Sequence, residues 1–244
     1  MRRYRAKDGS ECLWYGDNEI EEIAYSTLQV AGLFPSLDTP AVDIETLIDV
    51  HLGVRFEQYA DLEPEVLGVT EFLAGEQPRI RINQDLTGSA LDEDETPLGV
   101  LGRWRATLAH EASHVLLHRT LFDRNKNQLS LFGEEENAPA EAPRLLRSLK
   151  RDVSFANRGG DWREIQANKG MAALLMPKMV FLQVCDREVA NRPFSVCPVR
   201  PDYPEVRALV IRLSELFQVS RQAASIRVET LDVLGRYNRP SLLA

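Results

Sequence analysis

Leu101-Gly-Arg-Trp-Arg-Ala-Thr-Leu-Ala-His110-Glu111-Ala-Ser-His114-Val-Leu-Leu-His118-Arg-Thr-Leu-Phe122 is the stretch whose reading decides the fold. At its centre, residues 110–114 match H-E-x-x-H. On a helix, residues four apart share a face, so His110 and His114 can hold one metal ion. Glu111 then lies beside that ion, placed to take a proton from water. These are the parts of metal-assisted peptide hydrolysis, with Zn2+ the usual ion. The flanks fit a helix. Leu101, Trp104, Leu108, Ala112, Val115, Leu116 and Phe122 keep roughly helical spacing, and neither Pro nor Gly interrupts the run after Gly102. The spacing predicts one helix over residues 101–122, apolar enough to lie against a core.

A catalytic zinc takes three protein ligands. The metzincin pattern needs Gly at 117 and His at 120, where this chain has Leu117 and Thr120. His118 lies one turn further along the same face, but three successive turns of a straight helix do not readily close a tetrahedral site. Packing or hydrogen bonding is its expected role. A second helix is predicted over residues 161–177, with Met171, Leu174, Leu175 and Met176 clustered and Pro177 marking its end. On it, Glu164 and Asn168 are four apart. Glu164 has the chemistry of a ligand, and Asn168 that of a hydrogen-bonding support for one. Asp161 and Glu164 also have the spacing of a capping box, in which Glu164 would only satisfy the helix start. Spacing alone leaves these two readings even.

The pieces Arg105-Ala-Thr-Leu-Ala-His-Glu-Ala-Ser-His-Val-Leu-Leu-His118 and Glu164-Ile-Gln-Ala-Asn-Lys-Gly-Met-Ala-Ala-Leu-Leu-Met-Pro177 resemble the ImmA/IrrE family of zinc metallopeptidases. That family pairs the histidine motif with a downstream Glu-x-x-Ala-Asn segment ending in Leu-Leu-x-Pro. The likeness runs from about residue 43 to residue 234. It implies His110, His114 and Glu164 as zinc ligands and Glu111 as general base. The chain departs from the family in three places. Ser113 stands where many members have Gly, at a position expected to face away from the metal. Gly170-Met171 stands where Phe-Ala is frequent. The gap from His114 to Glu164 is long, implying an insertion between the two helices.

The chain has 244 residues, 44% of them apolar, and a net charge of −8. That size fits one domain with an appendage or two small ones. The negative charge argues against a protein that coats nucleic acid. Cys12, Cys185 and Cys197 have no paired spacing and read as reduced thiols of a cytoplasmic protein. The basic start, Met1-Arg-Arg-Tyr-Arg, has no apolar run behind it, so no signal peptide is expected. No window has the apolar length of a membrane span.

Residues 1–17 read as loosely ordered, and a helix follows over 18–31. Asp43 can cap a further helix with Ile44, Leu47, Ile48 and Leu52 as its buried stripe and Gly53 as its end. Residues 54–59, 66–73 and 79–83 read as strands. A strand beside the cleft can bind an extended peptide at its edge, though the sequence does not say which strand is the edge. Residues 84–98, with the acidic run 92–95, read as a solvated loop. Residues 123–160 form the insertion, whose 133–143 stretch cannot bury a core and whose residues 145–150 read as a short basic helix. It is either a lid over the cleft or a tolerated insertion. Residues 206–217 and 220–234 form two helices about a short turn, with Ser220 as a cap. Leu213, Phe217, Val219, Ala223, Ile226 and Leu231 resemble the core positions of a helix-turn-helix, and Arg221 and Arg227 are candidate phosphate contacts; the other reading, and the favoured one, is a helical hairpin packed on the peptidase core.

The expected fold is α+β: a gluzincin-like metallopeptidase domain over 18–198 with a flexible insertion at 123–160, then a helix-turn-helix-like segment at 199–244. The resemblance implies a zinc-dependent endopeptidase that cleaves a helix-turn-helix repressor and so releases stress-response or mobile-element genes. The alternatives are a DNA-binding regulator with a structural or vestigial metal site, and one half of a toxin–antitoxin pair. Tyr203 and Tyr237 are candidates for the oxyanion donor by residue type alone.

Overall fold

The computed structural model describes residues 2–5, 11–73, 76–91, 96–123, 144–149 and 161–238. The chain opens with a two-stranded antiparallel ribbon, β1 (Arg2–Arg5) and β2 (Glu11–Trp14). Residues 1–17 were expected to be loosely ordered; of these, 1 and 6–10 lie outside the described residues. These strands are too short for a periodic signal, and tertiary contacts hold them: Leu13 is buried, and its carbonyl accepts from Gln166 Nε2 at 2.8 Å. Helix α1 (Asp17–Val30) follows and buries Ile20, Ala24 and Leu28.

Asp43 caps the next element as its side chain predicts, accepting from Thr46 N at 3.0 Å. That element is α2 (Ile44–Thr46), continued by a π turn (Leu47–His51), with Ile44, Leu47 and Ile48 buried. Strands β3 (Arg55–Ala60), β4 (Val66–Phe72) and β5 (Arg79–Asn83) lie within a residue or so of where alternation puts them. Helix α3 (Gln84–Leu91) occupies ground read as loop. Its Thr-Gly-Ser centre has low helix propensity. Two side-chain bonds hold it instead, from Asp85 N to Asn83 Oδ1 at 2.9 Å and from Thr87 Oγ1 to Gln58 O at 2.6 Å. The acidic run 92–95 lies outside the described residues.

Helix α4 (Leu98–Asp123) carries H-E-x-x-H and runs through the middle of the molecule. It packs on α3, on β4 and on the helix bearing Glu164. Residues 144–149 form β6, not a basic helix. The arginines in Arg-Leu-Leu-Arg mimic a helix face, yet backbone pairing with β4 decides the conformation. The stretch 133–143, expected to be mobile, lies outside the described residues. The sheet order is β3-β5-β4-β6, with β3 and β5 parallel and the other pairs antiparallel. Thus β4, buried along its whole length, is paired on both sides and is not an edge that could receive a peptide.

Four helices and a short fifth complete the chain: α5 (Trp162–Leu175), α6 (Lys178–Asn191), α7 (Pro204–Phe217), α8 (Arg221–Thr230) and α9 (Val233–Asn238). Ser220 caps α8 by accepting from Ala223 N at 3.1 Å. The expected helix to residue 234 breaks after Thr230 because Asp232 adopts a left-handed φ of 49°. Residues after 199 do not stand apart. Leu213, Phe217, Val219 and Ala223 belong to the same apolar core as Leu108 and Leu174, and Phe217 meets Phe181 with ring centroids 5.2 Å apart.

Arg227 is not available to phosphate. It is buried, its Nη1 lies 2.7 Å from Glu21 Oε1, and its Nε and Nη2 donate to Met176 O at 3.1 and 2.7 Å. Arg227→Ala should therefore lower unfolding stability by about 3 kcal/mol, the cost of breaking a mostly buried pair, read as a shift in the urea midpoint. A midpoint equal to that of the parent would return Arg227 to the surface.

Candidate metal centre

Three donors meet between α4 and α5. His110 Nε2 and His114 Nε2 lie 3.0 Å apart; Glu164 Oε2 is 3.0 Å from the first and Glu164 Oε1 is 3.4 Å from the second. The i,i+4 spacing on α4 brings the two rings together edge-on, with centroids 4.7 Å apart and planes at 79°. The third donor reaches across from α5. These residues form a group close enough to bind a metal ion. The fit is good: a tetrahedral site with bonds of about 2.0–2.1 Å keeps its ligand atoms about 3.3 Å apart. Two imidazole nitrogens and a carboxylate oxygen are also a zinc-type donor set. Both histidines are fully buried, and the Glu164 side chain keeps 21% exposure, so the cluster meets solvent at Glu164.

The two readings of Glu164 separate here. Asp161 caps α5 alone, accepting from Arg163 N at 3.0 Å, while the Glu164 carboxylate is turned to the histidines. Burial favours its neutral acid, but hydrogen bonds from His110 and His114, with their charge, hold it well below the usual carboxylate range. His110 moves the other way. Burial opposes its charge, yet the bond to Glu164 and the nearby Glu111 and Glu164 carboxylates raise its pKa above the ordinary imidazole value. Both shifts have one meaning: the pocket draws positive charge. A bound metal cation would supply such charge.

Asn168, one turn after Glu164, places Oδ1 3.1 Å from His110 Nδ1. His118 is no ligand of this cluster. Its Nδ1 lies 3.1 Å from His114 Nδ1, the ring nitrogen turned away from Glu164. Burial first, then the charge of His114 and Arg163, push the His118 pKa well below the ordinary value, so its ring is neutral.

Glu111, about 100° further round α4 than His110, meets β4 of the sheet. Thr70 Oγ1 donates to Glu111 Oε2 at 2.5 Å. A Cβ at Gly68 would lie 2.6 Å from Glu111 Oε1, so any larger residue there would displace the Glu111 carboxylate. Sequence reasoning missed Gly68 and Thr70. The available signal was a glycine inside an apolar strand, which marks a close approach. Tyr237 is engaged elsewhere, donating to Asp186 Oδ1 at 2.7 Å, and Tyr203 stands at the N-cap of α7.

No protein-family model, curated protein or solved structure matches this chain.

Two of the residues that depart from the ImmA/IrrE pattern face each other. A Cβ at Gly170 on α5 would lie 2.6 Å from Ser113 Oγ and 2.8 Å from Ser113 Cβ on α4. Ser113 folds its hydroxyl back onto Ala109 O at 2.7 Å. Gly170→Ala should cost about 1–3 kcal/mol by overpacking. In a Ser113→Gly background, where both crowding atoms are gone, the same change should cost less than about 1 kcal/mol. Equal costs in the two backgrounds, measured by urea unfolding, would refute this contact.

Proposed function

We propose that the chain is a zinc-dependent endopeptidase of the ImmA/IrrE type, acting in the cytoplasm on a helix-turn-helix repressor. On this reading the fold is a gluzincin-like core carrying a helix-turn-helix-like hairpin. The observation that carries the proposal is the His110–His114–Glu164 cluster with the Glu111 carboxylate on the next residue of the same helix. A purely structural site would need no such acid. A zinc ion held there supplies a Lewis acid that polarises a carbonyl and acidifies water. Glu111 accepts the proton of the attacking water and hands it to the departing amine. The Thr70 hydroxyl donates to that carboxylate and helps to hold it in place. Asn168 holds the His110 ring through Nδ1, leaving Nε2 for the ion.

The chain's charge of −8 suits a basic partner such as a DNA-binding repressor. The buried state of Arg227 weakens the rival reading as a DNA-binding regulator. Because α7 and α8 supply part of the core, tests of substrate choice require the full chain.

Glu111→Gln should keep zinc stoichiometry and fold while losing hydrolysis, since an amide cannot take up the proton. Asn168→Ala should lose about 10–100-fold in metal affinity or activity. Hydrolysis by Glu111→Gln at the parental rate would end the proposed mechanism.

The substrate is tested by incubating the zinc-loaded protein with repressor-like proteins encoded beside its gene, and with casein. One discrete fragment from a repressor, absent with Glu111→Gln, is the expected result. Rapid digestion of casein, or specific DNA binding by this chain without proteolysis, would overturn the reading.

A further inference from the structure

We infer that His118 is a positioning residue for the metal site: its imidazole holds His114 in the tautomer and orientation that present Nε2 to a metal ion. The inference rests on the metal reading above. An imidazole that gives its Nε2 lone pair to a metal keeps its proton on Nδ1, and that proton needs an acceptor. His118 Nδ1, at 3.1 Å from His114 Nδ1, is in place to be that acceptor. The other histidine has the same arrangement with a different partner, Asn168 Oδ1 at 3.1 Å. One ligand is thus steadied from the neighbouring helix and the other from the next turn of its own helix.

The rest of the His118 ring agrees with this role. When Nδ1 accepts, the ring carries its proton on Nε2. That nitrogen is buried and has no hydrogen-bond partner among the described residues. The ring stands at 88° to Trp162 with centroids 5.4 Å apart, an aromatic edge contact. Burying a half-satisfied imidazole has a cost that an apolar side chain of similar size would avoid. The bond to His114 is what the histidine provides that a phenylalanine could not. The same geometry excludes His118 as a further ligand of this cluster, because it meets His114 on the nitrogen facing away from Glu164.

The test uses the full chain stripped of metal, with Zn2+ titrated against a chromophoric chelator and Co2+ followed by its visible absorption. The variants are His118→Phe, which keeps the ring but has no acceptor, His118→Asn, whose amide oxygen can replace Nδ1, and Glu164→Ala. His118→Phe should lose about 10–100-fold in zinc affinity and alter the Co2+ spectrum, whereas His118→Asn should stay within about threefold of the parent. Unfolding midpoints of the metal-free proteins check the fold, and His118→Leu is read instead if the phenylalanine variant fails to fold.

If the acceptor-less variant binds zinc as tightly as the parent, or if it and His118→Asn lose affinity equally, His118 is only a packing residue. Loss of zinc in Glu164→Ala alongside an undiminished His118→Phe would sink this inference and leave the metal site standing. A parent that binds no zinc, or Glu164→Ala binding as well as the parent, would sink the metal reading itself.

Discussion

The site depends on how closely α5 approaches α4. Helix α4 can bring only two donors to one point, because its successive turns do not wrap around an ion. The third donor must come from another element, and it must arrive with a short side chain. Glu164 does so because the two helices touch at Gly170 and Ser113, where even a methyl group would collide. A larger residue at either position pushes the helices apart and takes the carboxylate out of reach of His110 and His114.

The second constraint acts on a neighbouring face of α4. Consecutive residues on a helix point about 100° apart, so His110 and Glu111 cannot both face α5. The histidine meets Asn168 and Glu164, and the glutamate meets Gly68 and Thr70 on β4. A helix that carries polar chemistry on two sides must be buried on both. Trp104, Leu108, Ala112, Val115 and Leu117 then fill the space between. Burial strengthens every polar contact it does not break. An ionised Glu111 in this position needs a donor, and the Thr70 hydroxyl is one. The polar residues of α4 are thereby held in place before any ion or substrate arrives, which lowers the cost of assembling the site.

How much of this was legible in the sequence follows from the range of each interaction. Local signals were readable. Asp43 and Ser220 cap their helices through bonds three residues long, and the alternation in Arg79–Asn83 marks a half-buried strand. Non-local ones were not. Asp161 and Glu164 have capping-box spacing, yet only the position of α4 shows that Asp161 does the capping while Glu164 turns away. Helix α3 has a Thr-Gly-Ser centre, and its hydrogen bonds go to Gln58 on β3 and to the flanking Asn83. Arg227 looked like a phosphate contact because nothing in its own helix reveals Glu21, 206 residues earlier in the chain. Thr70 resembled any strand threonine, since its partner lies 41 residues further on.

The long segment between α4 and α5 is the last case, and it changes the meaning of the sheet. Its Arg-Leu-Leu-Arg run suggested a basic helix, but residues 144–149 return to pair with β4 from Phe72 back to Val66. Without that pairing, β4 would be an edge strand, with a row of unpaired backbone groups and the freedom to shift that edges have. With it, Gly68 and Thr70 sit on an interior strand held by β5 on one side and β6 on the other. The register places Ser148 opposite Gly68 and Leu146 opposite Thr70, so the inserted strand braces the two residues that fix Glu111. A segment that composition marks as dispensable therefore contributes to the placement of Glu111, through backbone hydrogen bonds that leave little trace in side-chain pattern.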